Sequence, residues 1–284
     1  MNKRFLLIIA VIVLVVFSVV GMLLNNSADE AVQTAETTTE EVVYSDEDVV
    51  FRQIDEHTWV GNGHLVYNES LYLVEGEEKA LLIDTGTRIP NLDKIVATLT
   101  DKPIMVALTH LHGDHAGSAG CFSEVWVNPN DTVLISGQNV YNGTINYLAD
   151  GEIIDLGGRQ IEVMYTPGHT PGSTTFFDKA RHYGFSGDAF GSTNLLLFTG
   201  TFKQLIETTT RTAEYMQQHG IEKLYPGHYQ DNPETLQRLL DEKKMSEEVL
   251  SGKRQGLENN TSGLNRYIYD YGVYIRYNDP EALQ

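Results

Sequence analysis

Three imidazoles and a carboxylate fall within six residues, His110-Leu111-His112-Gly113-Asp114-His115, directly behind the apolar run Ile104-Met105-Val106-Ala107-Leu108. A short apolar run bounded by polar residues predicts a buried strand. Side chains at i and i+2 beyond its end can turn towards one point. Neutral imidazole and carboxylate are the ligands that zinc and its neighbours prefer. A lone histidine is most often structural, but four ligand-type groups in one turn have no packing explanation. The chain must therefore fold so that a strand ends at a metal site, with further ligands arriving from distant segments.

Those segments are present. Thr166-Pro167-Gly168-His169-Thr170-Pro171-Gly172 is a turn-rich loop in which prolines fix φ and glycines permit close approach. Ser186-Gly187-Asp188 and Leu224-Tyr225-Pro226-Gly227-His228 each follow a predicted strand. The candidate ligands are thus His110, His112, Asp114, His115, His169, Asp188 and His228, all at strand ends or in Gly/Pro loops, where α/β folds keep their chemistry.

Around them the pattern alternates between short strands and helices. His57 to Gly61, Ser70 to Gly76 and Lys79 to Asp84 predict an antiparallel meander with a hairpin turn at Glu75-Gly76-Glu77. Helical spacing follows over Asn91 to Thr100, and again over Phe202 to His219 and from Pro233 towards Leu250. Further strands are predicted at 124–127, 132–135, 159–165, 174–177 and 183–185, with a closing hairpin over Arg266 to Tyr277. No internal repeat appears.

The N-terminus is of a different kind. Phe5 to Leu24 is apolar or small throughout, interrupted by Ser18 and Gly21, and follows Lys3 and Arg4. At ~1.5 Å rise per residue it would span a hydrocarbon core of ~30 Å. It is longer than a typical signal-peptide apolar region, so residues 1–24 are expected to be a membrane anchor, with a cleaved signal and secretion as the alternative. The next Lys or Arg is Arg52, so the positive-inside rule puts the bulk of the chain outside the cytoplasm. Residues 25–48, rich in Thr and acid, predict a flexible tether, and residues 49–284 the catalytic domain. Cys121 is the single cysteine, which excludes an intrachain disulfide. The formal charge of −19 argues against nucleic-acid binding, leaving a small molecule as the expected partner beside the membrane.

The order and spacing of the motifs resemble the metallo-β-lactamase superfamily of hydrolases. The resemblance rests on His110-x-His112-x-Asp114-His115 together with Leu82-Ile83-Asp84-Thr85-Gly86, Pro167-Gly168-His169-Thr170, Gly187-Asp188 and Gly227-His228, and covers about Val49 to Tyr229. It implies an α/β fold, a four-layer αββα sandwich. It also implies one metal on His110, His112 and His169, a second on Asp114, His115 and His228, and Asp188 bridging them. Two Zn2+ are expected, with Mn2+ or Fe as alternatives. Asp114 and Asp188 would handle protons, and Asp84 would orient a ligand from behind. In the antibiotic-degrading branch a cysteine commonly stands where Asp188 is found here, which directs the resemblance towards the glyoxalase II and lactonase-like branch.

The implied chemistry is hydrolysis of an ester, thioester or lactone, or of an amide, by water activated between two cations. The alternatives are a phosphodiesterase, a mononuclear iron persulfide dioxygenase, and a non-catalytic membrane-tethered metal-binding module. His57, His182 and His219 lack motif context and are expected to be structural. His64 lies in a Gly-rich loop from which it could reach substrate, and Leu195 to Phe198 is either helix packing or a pocket wall.

Overall fold

The computed structural model describes residues 41–131 and 141–284. Three sheets are formed among them. The first has the order β1 (Val42–Ser45), β2 (Val49–Asp55), β3 (Thr58–Gly63), β4 (Ser70–Glu75), β5 (Ala80–Ile83), β6 (Ile104–Ala107), β7 (Glu124–Val127) and β8 (Thr144–Tyr147). It is antiparallel up to β5 and parallel from β5 to β8. The switch follows from the connections: tight turns join the first strands, whereas helix α1 (Leu92–Val96) lies between β5 and β6.

The second sheet contains β9 (Ile153–Asp155), β10 (Gln160–Tyr165), β11 (Thr174–Asp178), β12 (Tyr183–Gly187), β14 (Lys223–Pro226) and β15 (Glu234–Thr235), with β12 and β14 parallel. Strand period sorts side chains between layers. In β4 and β5, Tyr72, Val74, Leu81 and Ile83 pack against Ile161, Val163, Phe176 and Phe185 of the second sheet. Leu71, Leu73, Ala80 and Leu82 point the other way, onto α1. Behind the second sheet, Met164, Phe177 and Leu224 meet Met216 of helix α3 (Phe202–His219) and Leu239 of helix α4 (Leu236–Leu250). The layers therefore run helix, sheet, sheet, helix. Burying residues of β4 and β5 on both faces explains why they read as continuous apolar runs.

The third sheet joins β13 (Asn194–Leu197), in parallel, to β18 (Val273–Tyr277), followed by β17 (Arg266–Asp270) and β16 (Leu257–Glu258). The predicted closing hairpin is thus β17–β18, built into a larger sheet. Leu195 and Leu197 pack with Phe202 and Met245, while Leu196 and Phe198 line a cleft. Packing and pocket wall are both correct readings of that run, on alternate faces of a strand.

Three expectations change. Val42 to Ser45 is a strand, so order begins inside the stretch expected to be tether. The final helix starts at Leu236 behind the N-cap Thr235, whose Oγ1 accepts from the Arg238 N–H, so Pro233 is not its first-turn residue. The helix expected over Asn91 to Thr100 is confined to Leu92–Val96. The strand expected at 132–135, the apolar segment 5–24 and most of the tether lie outside the described residues. Among the described residues no helix is long and apolar enough to cross a membrane.

Candidate metal centre

The seven candidate residues arrive from four connections at one edge of the paired sheets. His110 and His112 leave the end of β6. Asp114 and His115 lie in the single-turn helix α2 (Gly113–Ala116). His169 comes from the β10–β11 loop, Asp188 follows β12, and His228 follows β14. Backbone bonds weld these loops together. Thr174 N–H donates to Thr109 O at 2.8 Å, Gly227 N–H to Gly187 O at 2.7 Å, and Ser70 N–H to Gly227 O at 2.7 Å.

Hydrogen bonding fixes which ring nitrogen of each histidine is free. Thr109 Oγ1 donates its one proton to Asp84 Oδ2 at 2.7 Å, so it can only accept from His110 Nδ1 at 3.1 Å. His115 Nδ1 lies 2.8 Å from Asp84 Oδ2, and His169 Nδ1 lies 2.8 Å from Leu196 O. Each Nδ1 therefore carries the proton, and Nε2 of His110, His115 and His169 is a bare lone pair when the ring is neutral. Those of His110 and His169 converge on His112 Nδ1, at 3.2 and 2.9 Å. Three lone-pair nitrogens that share at most one proton at such separations could hold a cation.

Asp188 occupies the space between the groups. Its Oδ1 is 3.5 Å from His115 Nε2, and its Oδ2 is 3.5 Å from both His169 Nε2 and His228 Nε2. Asp114 Oδ2 lies 3.7 Å from His228 Nε2 and 3.9 Å from His115 Nε2. Donor atoms within 4.8 Å of one another form three sets: His110, His112 and His169; His110, His115 and Asp188; and Asp114, His115 and His228. His115 Nε2 and Asp188 Oδ1 are buried and make no hydrogen bond. Orphaned buried donors and acceptors are costly unless something satisfies them, and a divalent cation would.

The electrostatics agree. Burial holds the His110 imidazole well below its usual range, helped by His115, and burial lowers His169 to about 4 despite Asp188. Burial also opposes charge on His115, but Asp188 and Asp84 outweigh it and hold that imidazolium well above the usual range. Burial would raise the Asp188 carboxyl, yet His228 and His115 hold it well below the usual range. Burial opposes charge on His228 too, and there again Asp188 outweighs it and raises the imidazole.

One supporting residue carries no sequence signal. Asp131 accepts from Leu111 N–H at 2.7 Å through Oδ2 and from Gly172 N–H at 3.4 Å through Oδ1, tying the His110 and His169 loops to one carboxylate. Phe198 sets its ring edge-on to His112 and His169, with centroids 5.5 and 5.4 Å away. The centre opens into a cleft of about 630 Å3 whose walls include Val66, Tyr67, Phe198, Gln230 and Asn232. His64 is exposed and does not line it, and its neighbours Val66 and Tyr67 do. His57 and His182 bond to Glu75 and to Gly220 O, and His219 stacks on Tyr215, all away from the cleft.

A family profile described as the Metallo-beta-lactamase superfamily matches residues 65–228. The chain is 28% identical over 204 residues to the Homo sapiens protein named acyl-coenzyme A thioesterase MBLAC2, covering 56% of this chain and 72% of that one. It is 30% identical over 162 residues to the atrochrysone carboxyl ACP thioesterase nsrC of Aspergillus novofumigatus, covering 55% and 48%. Among solved structures, a metallo-beta-lactamase from Erythrobacter litoralis aligns with a TM-score of 0.57 at 19% identity, covering 73% of this chain and all of that one. One from Pontibacter korlensis aligns with a TM-score of 0.56 at 16% identity, covering 70% and 99%.

Proposed function

The chain belongs to the metallo-beta-lactamase superfamily and is a hydrolase of that fold, and from this premise we propose that it cleaves acyl thioesters, with esters and lactones as the neighbouring substrates. The observation that carries the reading is the donor set: three imidazole lone pairs converge beside a buried carboxylate whose Oδ1 has no hydrogen-bond partner. Two divalent cations, of which zinc suits imidazole and carboxylate best, would supply Lewis acidity and an activated water. His110, His112 and His169 would hold one, Asp114, His115 and His228 the other, and Asp188, which faces both groups, would be shared. Relatives named as thioesterases support the acyl thioester. So does a cleft with an apolar wall beside the donors.

The side chains divide the work. Asp84 holds His115 with its proton on Nδ1, and Leu196 O does the same for His169, so each presents Nε2 to the centre. Asp188, kept ionised, stays available to two sites at once. Asp114 stands on the cleft wall, where its carboxylate can take a proton from water and pass it to the leaving thiolate. Phe198 shields His112 and His169 from solvent on the cleft side. Residues 1–24 would anchor the enzyme with its catalytic domain outside the cytoplasm, a reading supported by Lys3 and Arg4 ahead of the apolar run.

The test is the double variant His112→Ala, His115→Ala in the full chain, assayed for zinc content and for hydrolysis of a short acyl thioester. Loss of both is expected. Undiminished hydrolysis would sink the assignment.

A further inference from the structure

We propose, resting on the thioesterase reading above, that this enzyme is built for an electrically neutral substrate: an apolar acyl thioester whose leaving arm carries no phosphate. Among the described residues that line the cleft there is no lysine or arginine. Its wall is apolar at Val66, Leu196 and Phe198 and polar but uncharged at Thr193, Gln230 and Asn232; its formal negative charge is that of Asp114 and Asp188. Residues 132–140, outside the described chain, contain no basic side chain either.

Phosphate groups are recognised by guanidinium, ammonium or clustered backbone N–H groups, which provide charge-assisted hydrogen bonds. Arg276, which bonds the lining residue Asn194, is held by uncharged partners. Arg276 donates through Nε to Asn194 Oδ1 and through Nη1 to Asn259 Oδ1, each at 2.7 Å, and stacks between Tyr267 and Tyr274. The whole chain carries a formal charge of −19. A leaving group bearing several phosphates would approach against that field and find no lysine or arginine on the cleft wall to pair with, the cations of the centre being engaged at the scissile carbonyl, whereas a neutral arm would lose nothing. The edge of Phe198, lying over His112 and His169, gives the acyl chain an apolar seat next to the donors that would activate water.

The test compares the zinc-loaded full chain on octanoyl-coenzyme A and on the octanoyl thioester of N-acetylcysteamine, which share the acyl group and the scissile bond. The neutral thioester is expected to show a kcat/KM at least about tenfold higher at low ionic strength, the lower end of electrostatic steering effects with the sign reversed. Added salt should raise the value for the coenzyme A ester, as screening relieves repulsion, and leave the neutral one unchanged. Calorimetry should find adenosine 3',5'-bisphosphate, which has phosphates but no zinc-binding thiol, bound no tighter than about millimolar. A preference for the coenzyme A ester that falls with salt, or micromolar binding of the bisphosphate, would overturn the inference while leaving the thioesterase reading intact. Hydrolysis of neither ester would refute that reading and this inference with it.

Discussion

Asp84 Oδ2 accepts from His115 Nδ1 at 2.8 Å and from the Thr109 hydroxyl at 2.7 Å, while Asp84 Oδ1 accepts from the Thr109 N–H at 2.7 Å. One buried carboxylate therefore orients a ligand on α2 directly and His110 through Thr109. Its backbone is left-handed, with φ 65°, and that turn aims the side chain inward beneath the centre. Asp84→Asn keeps the shape but cannot accept from both donors through the amide end. It should weaken zinc affinity and hydrolysis by about 10–100-fold, as loss of a carboxylate behind a metal-bound histidine does. Zinc titration of the folded variant checks this, and an unchanged affinity would remove Asp84 from the centre.

Arg159 is the matching hub at the far end of the sheet pair. It gives Nε to Asp178 Oδ2 at 2.7 Å, Nη1 to the carbonyls of His57 and Glu75, and Nη2 to Thr58 Oγ1 and Tyr183 OH. Asp178 is fully buried. Arg159→Met would leave that carboxylate without its cation and remove a donor from the His57 and Glu75 carbonyls, at a cost of about 3–5 kcal/mol. Urea unfolding should show the loss, with zinc stoichiometry unchanged because the site lies at the other edge.

Glu242 predicts a pH dependence of stability that arises away from the metal centre. It is fully buried in α4 with neither carboxyl oxygen hydrogen-bonded, and burial together with nearby Glu234 raises its carboxyl well above the ordinary value of 4.5, with Arg238 only partly opposing. Below that ordinary value both folded and unfolded states hold the proton, and the group contributes nothing. Above it the unfolded chain releases the proton and the folded chain keeps it. Stability then falls as pH rises until the folded group also ionises, by at most about 1.4 kcal/mol per pH unit for one proton. Glu242→Gln should flatten that decline and be more stable than the parent at pH 8. A parallel fall in both proteins would exclude Glu242 as its source.

The candidate ligands were legible in the sequence because chemistry marks them: four donors in one turn, and histidine or aspartate beside glycine at strand ends. What holds those ligands was not. Asp131 reads as a turn residue in Asn128-Pro129-Asn130-Asp131, since its partners Leu111 and Gly172 lie 20 and 41 residues away. Val42 and Val43 sit in an acidic stretch, and the strand they form is an exposed edge with no alternating burial to betray it. The third sheet was half visible. The β17–β18 hairpin is local, but β13 joins it across a separation that only the fold closes. Period 2 in Leu195 to Phe198 could be read either way because the strand has one face on α3 and α4 and the other on the cleft.

Gly227 offers the sharpest test of how tightly the centre is built. A Cβ there would fall inside the van der Waals envelope of Asp188 Oδ1 and lie 2.6 Å from His115 Cε1. Its backbone is outside the left-handed region, so alanine incurs no conformational penalty of its own, and the substitution acts through space alone. Neither neighbour can yield cheaply: His115 is pinned by Asp84, and Asp188 is short and surrounded by His115, His169 and His228. Gly227→Ala should therefore displace the two groups that link the donor sets and lower hydrolysis by about 100-fold, the scale of a 1 Å misplacement. Bound zinc should fall towards one per chain, since His110, His112 and His169 are untouched. Gly120→Ala, where an added Cβ meets nothing within 4 Å, should leave both readouts at the parent value. Equal zinc content and rate in Gly227→Ala would mean that Asp188 and His115 are free to move, contrary to the packing that surrounds them.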